Sequence, residues 1–576
     1  MLSHFHKLNT QLKSVTTYPT VGHQHARFSA RGWDSVKVWT LWQAWVDETF
    51  LSASERRALD DIEPFDEWEE FALFATHYCV VHARTGRNAP AAASPALPLS
   101  AEIPARPVAV QFDECPGVRG QRRFAAACEL SGSDGNGASI LNVLGLGTKA
   151  RLQSCDVFSS GATENSPALT FREGGPSTRM CHSLTDLGNG SVLLAGGRGS
   201  PSSPLKDCWL FDKRTKAWTR THDLPRPWYR HSVVALRESG LALLVGGRGA
   251  TEALDGCILY SAEGGWVECE ILGDKPAAVY GAVLSSVSGS AAGLFSGIYA
   301  GGLADGLISD QMLFLEADIS NTKVCGFPLP LTEADRLTKP QKPTIKFTRL
   351  RISGDVEEDT ARWLLTRFGA SCLQHGEQLL LLGGVARDHL LSHQDEGILC
   401  SMSNGELTIT GRLVNQDSGD ATTIPRPLFA GHSAVLTSDG NVVVVGGGAT
   451  CFSMGTFWNK GVYSWRFPTI GSDGAVASQP PPRWAHEKTV DINPVQRTIP
   501  VAAKKQSTNE APHITLIPRV KLKTPDDFIN IVRKGQPVVL EGLDLGSCVS
   551  AWTTDYLVDK VGADRKVGSH HPLLAQ

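Results

Sequence analysis

The sequence contains the stretch Val442-Val-Val-Val-Gly446-Gly447, an apolar run that ends in a pair of glycines. Four other runs share this form: Val192-Leu-Leu-Ala-Gly196-Gly197, Leu241-Ala-Leu-Leu-Val-Gly246-Gly247, Gly297-Ile-Tyr-Ala-Gly301-Gly302 and Leu379-Leu-Leu-Leu-Gly383-Gly384. A degenerate sixth copy is Ile140-Leu-Asn-Val-Leu-Gly145-Leu-Gly147. Because the runs lack alternation of polar and apolar residues, each predicts a strand that is buried on both faces.

The spacing and the flanks of these copies indicate a repeat. The second glycine of each pair recurs after 50, 55, 82 and 63 residues, and kelch propeller blades have a period of roughly 50. Several copies begin with a histidine and serine and close with a tryptophan that we expect to pack between blades: His182, His231 and His432, and Trp218, Trp266 and Trp465. The middle of the chain therefore resembles the kelch family, which implies a mainly β fold with a kelch-type β-propeller.

We expect six blades, with seven as the alternative, because strands before Arg122 or near Trp484 could complete the ring. A closed ring leaves no long free edge. The longest gap between copies holds an insertion, residues 316–346, which we expect to leave the ring as a loop.

Length and charge limit the possible functions. The 576 residues exceed a single small domain, and 55 Lys and Arg against 59 Asp and Glu give a net charge of −4, so a nucleic acid would have to meet a local basic patch. Thirteen cysteines without a Cys-x-x-Cys pair favour a reducing compartment. Since no run of about 18 apolar residues occurs, we expect a soluble cytoplasmic monomer with no membrane partner.

Composition changes divide the chain into three predicted domains. Five prolines fall within residues 88–107, a linker that cannot hold a helix or a central strand. A second linker covers residues 491–512. The predicted domains are residues 1–87, 108–490 and 513–576.

The N-terminal region shows a mixed α/β pattern. Residues 35–40 alternate like a strand, residues 41–50 follow as a helix, and Ser52 with Glu55 forms a capping box. A helix with an aromatic stripe is predicted from Asp66, its stripe formed by Trp68, Phe71, Ala75, Tyr78 and His82. The carboxylates at its start are typical of a solvated face that compensates the helix dipole: Asp66, Glu67, Glu69 and Glu70.

Both flanks carry strings typical of known families. The string Glu63-Pro-Phe-Asp-Glu-Trp-Glu-Glu-Phe71, with HFHKLNTQLKSVTTYPT near the start, resembles the C-terminal part of the leucine carboxyl methyltransferase family. The string from Pro537 to Leu543, PVVLEGL, and the helix pattern from Trp552 resemble the opening segment of JmjC-type cupins. The domain order resembles the wybutosine-synthesizing branch of that methyltransferase family.

This resemblance implies a transferase that acts on phenylalanine tRNA. It would methylate the side-chain carboxylate of the wybutosine precursor with S-adenosylmethionine, and methoxycarbonylate its amine, at the guanosine next to the anticodon. The residues that hold S-adenosylmethionine would precede Met1, so we expect a chain truncated at both ends and assign no catalytic residue. The alternative is a non-catalytic kelch scaffold that binds RNA or protein.

Four arginines on blade loops are the candidates for phosphate contacts with tRNA: Arg198, Arg226, Arg230 and Arg248. The alternative for each is a solvated charge or a salt bridge that closes a blade. Cupins of the JmjC type hold Fe(II) with two histidines and a carboxylate, but His570 and His571 are adjacent and no carboxylate has the matching spacing, so we predict no metal site. The Gly-x-Gly strings at Gly145, Gly197 and Gly247 fall at blade positions, and we expect them to be structural.

Overall fold

The computed structural model separates the chain into two units, Met1–Gln496 and Arg497–Gln576. The structure describes residues 5–6, 9–10, 12–62, 65–86, 103–130, 137–160, 174–236, 239–288, 293–319, 342–387, 389–403, 405–415, 424–451, 455–469, 481–493, 516–544 and 546–562. Among these residues, no helix has the length and apolar character needed to cross a membrane.

The first unit begins with a small α/β region that matches much of the sequence prediction. Its elements are α1 (Val21–Ser29), β1 (Ser35–Thr40), α2 (Leu41–Val46), α3 (Ala53–Ile62), α4 (Trp68–Ala75) and β2 (Cys79–Arg84). The strand at 35–40 and the capping box at Ser52 and Glu55 are confirmed. The helix predicted over 41–50 ends at Val46, and the aromatic-stripe helix ends before Tyr78, because residues 79–84 pair with β1 instead.

The rest of the first unit is almost entirely β-structure, with one helix, α5 (Glu358–Leu365), among the described residues. Its strands are β3 (Ala105–Val108), β4 (Gln111–Glu114), β5 (Ala126–Leu130), β6 (Ser139–Val143), β7 (Ser154–Ser160), β8 (Ser183–Asp186), β9 (Ser191–Ala195), β10 (Arg198–Ser200), β11 (Ser203–Pro204), β12 (Cys208–Asp212), β13 (Ala217–Arg220), β14 (Ser232–Leu236), β15 (Leu241–Val245), β16 (Cys257–Ser261), β17 (Gly265–Glu268), β18 (Glu270–Gly273), β19 (Val283–Leu284), β20 (Val287–Ser288), β21 (Leu294–Ala300), β22 (Leu303–Ala304), β23 (Leu307–Ile308), β24 (Met312–Asp318), β25 (Thr344–Arg349), β26 (Arg351–Ser353), β27 (Arg367–Phe368), β28 (Ser371–His375), β29 (Gln378–Leu382), β30 (Val385–Ala386), β31 (Gly397–Ser403), β32 (Glu406–Asn415), β33 (His432–Leu436), β34 (Asn441–Gly446), β35 (Gly448–Cys451), β36 (Gly455–Trp458), β37 (Gly461–Arg466) and β38 (Trp484–Asp491).

These strands form a six-bladed β-propeller, as predicted, and the six glycine-terminated runs supply the second strand of each blade. The blades are, from the inner strand outward, β5-β6-β7-β38, β8-β9-β12-β13, β14-β15-β16-β17, β19-β21-β24-β25, β28-β29-β31-β32 and β33-β34-β37-β4, numbered here as blades 1 to 6. Blade 4 gains β18 and β20, and blade 5 gains β26 and β3. The strand β3, which contains Pro107, pairs only with β32 at the edge, where a proline is tolerated.

The ring closes by exchange of outer strands between blades 6 and 1. Strand β4, which precedes blade 1 in the chain, pairs with β37 of blade 6, and β38, which follows blade 6, pairs with β7 of blade 1. Asp156 of β7 joins this closure, since it accepts hydrogen bonds from His486 and Thr489 of β38 and from Arg122. Its carboxyl is buried, which would raise its pKa, but the bonds from His486 and Arg122 lower the pKa to about 2.

The repeated apolar runs are buried on both faces, as their pattern predicts. Val443 and Val445 pack toward blade 1, while Val442 and Val444 pack toward blade 5. Trp218 and Trp465 are buried between blades, and Trp266 lies half-buried against the core between blades 2 and 3. Each large aliphatic side chain buried in this way contributes about 2 kcal/mol to folding.

The insertion predicted at 316–346 joins two neighbouring strands of blade 4. Its ends belong to β24 and β25, whose antiparallel pairing runs from the pair Leu313–Arg349 to the pair Asp318–Thr344. Residues 320–341, between these strands, lie outside the described residues.

The second unit contains β39 (Arg519–Lys521), α6 (Pro525–Lys534), β40 (Val539–Glu541), α7 (Cys548–Ala551) and α8 (Thr554–Val561). Thr524 and Asp527 form a capping box at the start of α6, and β39 pairs with β40 in parallel. The helix predicted from Trp552 is confirmed from Thr554 and ends before Gly562.

The close approach of blades 3 and 4 at Gly246 can be tested by substitution. Its φ is +66°, and a Cβ there would lie 2.5 Å from the Tyr299 hydroxyl and 2.6 Å from the Val279 carbonyl oxygen of blade 4. We expect Gly246→Ala to lower the free energy of unfolding by about 3 kcal/mol, from backbone strain and the clash together. Urea denaturation followed by tryptophan fluorescence measures the change.

Gly240→Ala is the matched control, because Gly240 has a similar φ of +70° but its nearest neighbour for a Cβ is 3.5 Å away. That variant should lose only about 1 kcal/mol. Equal losses in the two variants would contradict the close approach of blades 3 and 4.

Candidate functional site

A ring of backbone hydrogen bonds surrounds the axis of the propeller at one face. One residue from each blade, just before the inner strand, has a φ between +52° and +72°: Phe124, Cys181, Arg230, Gly281, Gly369 and Gly431. Five of these amides donate to the carbonyl of the equivalent residue in the preceding blade at 2.7 to 3.0 Å: those of Phe124, Cys181, Arg230, Gly281 and Gly369. This ring forms a rigid mouth around a central hollow of about 320 Å³.

Histidines and thiols line the hollow below this mouth. Burial lowers the pKa of His182 to about 3 and those of His231 and His432 to about 4. The Ser183 hydroxyl bonds with His231 at 2.9 Å. Burial also raises the pKa of Cys181 to about 12, so its thiol is protonated and a poor nucleophile.

The mouth is covered by the segment Phe65–Ala75, called here the cap segment, which includes α4. Asp66 lies between two arginines of the propeller: its carboxylate accepts from Arg198 at 2.7 Å and from Arg230 at 2.8 Å. Arg230 also donates to both oxygens of Glu69, at 2.6 and 3.0 Å. Glu70 pairs with Arg123 and accepts from the Thr450 amide at 3.0 Å. The cap segment therefore makes charged contacts with blades 1, 2, 3 and 6.

These charges are buried and balanced. Asp66, Glu69 and Glu70 are 1%, 2% and 7% exposed, and each faces a guanidinium. Burial alone would lower the pKa of Arg230, but Asp66 and Glu69 raise it well above its ordinary value, so the arginine remains cationic. Removing one member of such a pair costs about 3–5 kcal/mol, because a charge is left buried without its partner.

Aromatic packing holds the other side of the cap segment on blades 4 and 5. Trp42 and Trp68 are buried against Tyr280 and Phe368 in one apolar cluster. The Trp45 indole also donates to the Gly306 carbonyl at 2.8 Å. A hollow of about 260 Å³ with mostly apolar walls lies beside these rings, bounded by Arg56 and Asp60.

Blade 5 carries a glycine where the cap segment approaches most closely. A Cβ at Gly369 would lie 2.5 Å from the Glu69 carboxylate, and the φ of Gly369 is +72°. The cap segment thus contacts the backbone of the ring itself.

Three of the four predicted phosphate-contacting arginines face the N-terminal region. Arg198 and Arg230 bind Asp66, and Arg248 donates to Asp60 at 2.6 Å. Arg226 is exposed on a blade loop. The contacts with tRNA remain predictions, and Arg226 is the arginine of the four whose side chain is open to solvent.

The interpretation of the acidic cluster as a solvated face is wrong for Asp66, Glu69 and Glu70, and Glu67 alone of the four is exposed. Asp66 lies just before α4, three and four residues ahead of Glu69 and Glu70 in the first turn of that helix. This spacing does not distinguish a solvated face from an ionic contact, and the arginine partners become visible only in the fold.

The Gly-x-Gly turns are structural, as expected. Gly197-Arg198-Gly199 continues into the strand β10, and its arginine turns toward Asp66. A Cβ at Gly197 would lie 2.8 Å from the His182 side chain, which leaves no room for a ligand. The described residues therefore do not fit S-adenosylmethionine at these turns.

Among the residues that the structure covers, no group of three His, Cys, Asp or Glu side chains is placed to hold a metal ion. His570 and His571 lie outside the described residues.

Comparison with known proteins identifies similar chains. A family model described as "tRNA wybutosine-synthesizing protein 4, beta-propeller" matches residues 176–461. Proteins named tRNA wybutosine-synthesizing protein 4 are 49% identical in Neurospora crassa, over 99% of this chain and 50% of the relative, and 39% identical in Gibberella zeae, over 99% and 53%. The Saccharomyces cerevisiae protein of that name is 27% identical over 80% of this chain and 60% of its own length. The chain spans about half the length of its two fungal relatives with the higher identity.

The ionic contact of the cap segment can be tested with Asp66→Asn. This change keeps the shape of the side chain but leaves Arg198 and Arg230 with one counter-charge fewer, so we expect the free energy of unfolding to fall by about 3 kcal/mol. Urea denaturation of the whole chain measures it. Glu67→Gln, at the exposed neighbour, should change stability by less than about 0.5 kcal/mol, and a similar small change for Asp66→Asn would contradict the contact.

The buried histidines predict acid sensitivity. The folded pKa of His231, about 4, lies below the ordinary value of about 6.5, so the unfolded chain takes up the proton first as the pH falls. The contribution of the neutral His231 ring to the free energy of unfolding is fully present above about pH 6.5, and it falls by about 3 kcal/mol by pH 4. Between pH 7 and pH 4, the free energy of unfolding of His231→Asn should therefore fall by about 3 kcal/mol less than that of the parent. Urea titrations at each pH measure both values.

Ser183→Ala is the control for this measurement. It removes the hydrogen bond to His231 and leaves the titrating ring in place, so it should lower stability while keeping the pH dependence of the parent. Parallel pH profiles for the parent and His231→Asn would show that the ring is not buried in its neutral form.

Proposed function

Because the chain belongs to the tRNA wybutosine-synthesizing protein 4 family, as its propeller match and its 49% identity to the Neurospora crassa protein show, we propose that it takes part in wybutosine biosynthesis on tRNA. The observation that carries the proposal is that this identity extends over 99% of the chain. The matched range therefore spans both the N-terminal region and the propeller.

The substrate in this proposal is phenylalanine tRNA, modified at the guanosine next to its anticodon. The reactions are carboxyl methylation and methoxycarbonylation of the wybutosine precursor. S-adenosylmethionine supplies the methyl group when it is bound. We assign to these residues the binding and orientation of the tRNA.

The flanks enter the proposal as parts of larger domains. We propose that residues 1–87 correspond to the C-terminal part of a leucine carboxyl methyltransferase fold and that residues 513–576 are the start of a JmjC-type cupin. Transfer of a methyl group to a carboxylate depends chiefly on alignment of donor and acceptor. A methyltransferase part fixed to the propeller by Asp66, Glu69 and Glu70 supports such alignment, since the tRNA and the reacting groups would share one rigid body.

The tRNA must be bound by local positive charge, because the chain as a whole has a net charge of −4. Arg226 is exposed and lies near Asp255, whose pKa is lowered by its hydrogen bond from Lys275 and, to a smaller extent, by Arg226. We propose Arg226 as one phosphate contact of a monomeric, cytoplasmic protein.

Binding of phenylalanine tRNA tests the proposal. We expect labelled tRNA that carries the wybutosine precursor to bind the chain in fluorescence anisotropy, with an affinity that falls linearly on a log–log plot against salt. Arg226→Ala should reduce the magnitude of that slope by about 1. Absence of binding at low salt, or equal binding of an unrelated tRNA, would count against a role in wybutosine synthesis.

A further inference from the structure

Charge is distributed unevenly in the N-terminal region. Residues 1–33 contain no Asp or Glu, and neither do residues 71–101. Ten of the eleven acidic residues in 1–87 fall within residues 47–70. The sequence therefore places an acidic segment between two stretches that carry only positive charge.

The fold brings the two acid-free stretches together. Strand β1 follows the first stretch and β2 belongs to the second, and they pair antiparallel with Ser35 opposite Arg84. Helix α1 packs against both strands. Opposite residues of such a pair lie about 5 Å apart at their Cα atoms, so Arg84 lies beside the segment that leaves α1.

Four carboxylates of the acidic segment face the propeller. Asp60, Asp66, Glu69 and Glu70 each pair with a propeller arginine. The remaining acid, Asp34, accepts a hydrogen bond from the Gly86 amide at 2.6 Å. Four carboxylates of the acidic segment are thus occupied on the propeller, and the Asp34 carboxylate, which lies at the β1–β2 end, is occupied by a backbone amide.

Four side chains at this end of the β1–β2 pair combine positive charge with an aromatic face: Arg27, Arg31, Trp33 and Arg84, called here the basic end. Arg31 and Arg84 are exposed, and Trp33 is 39% exposed. The Arg27 guanidinium stacks over Tyr18 at 4.9 Å. Among the described residues, none of these arginines forms an ion pair with a carboxylate.

We propose that the basic end is an RNA-binding surface that contacts the phosphates of the tRNA, with Trp33 as a stacking platform for an unpaired base. The proposal rests on the proposed function and locates its tRNA contact on the N-terminal region as well as on the propeller. Guanidinium groups bind phosphate oxygens through paired N–H donors, and exposed indoles stack with any base. An acidic protein would also satisfy the charges, and competition with polyglutamate separates it from RNA.

The test compares two double variants of the whole chain by fluorescence anisotropy with labelled phenylalanine tRNA. Arg31→Ala with Arg84→Ala removes two charges from the basic end. We expect the dissociation constant to rise about tenfold at 0.1 M salt and the magnitude of the log–log salt slope to fall by about 2. Arg214→Ala with Arg220→Ala removes two exposed charges from blade 2 and should leave both values unchanged.

The outcomes separate this proposal from the one on which it rests. If the parent binds tRNA and the Arg31 and Arg84 double variant binds it equally well, the proposal that the basic end binds RNA is overturned and the proposed function stands. Failure of the parent to bind tRNA overturns both. Polyuridine should compete with the tRNA for this surface. If polyglutamate at matched charge competes equally well, the surface binds an acidic protein and the RNA proposal is overturned. Thermal unfolding of each variant at the parent temperature confirms that the fold is retained.

Discussion

The structure depends on one constraint, the exchange of outer strands that closes the propeller. Strand β38, which follows blade 6 in the sequence, completes blade 1. Strand β4, which precedes blade 1 in the sequence, completes blade 6. The buried carboxylate of Asp156 reinforces the first of these pairings through Arg122, His486 and Thr489. Because the ring is closed, the arginines of blades 1, 2 and 3 hold fixed positions around the axis, and the cap segment can meet all of them at once.

The cap segment shows how buried charge gives a unique placement. An apolar surface alone would allow the N-terminal helix to slide on the propeller, since hydrophobic burial has no direction. Asp66 between Arg198 and Arg230 allows one arrangement, because any shift leaves a buried charge without its partner. Trp42 and Trp68 add the apolar area on blades 4 and 5. The N-terminal region and the propeller therefore form one unit although their sequences read as separate domains.

Local pattern in the sequence was enough for the blades but not for what joins them. The glycine-terminated runs located one strand in each blade, and Trp218 and Trp465 were placed between blades by their spacing alone. Strands before Arg122 and near Trp484 were expected as possible completions of the ring, and β4 and β38 lie there. The sequence did not show whether they form a seventh blade or, as the structure has it, the outer strands of blades 6 and 1. The same limit applied to Asp66, Glu69 and Glu70: helix position favours a solvated face, and only the fold brings Arg123, Arg198 and Arg230 opposite them.

The strand exchange also delays completion of blade 1 during synthesis on the ribosome. Strand β7 emerges early, whereas its partner β38 is translated only after all six inner strands have left the exit tunnel. At roughly 5–20 residues per second, the edge of blade 1 stays open for tens of seconds. An open strand edge is a template for pairing with other chains. Until its last propeller strand arrives, the nascent polypeptide therefore exposes the edge of blade 1 to pairing with other chains.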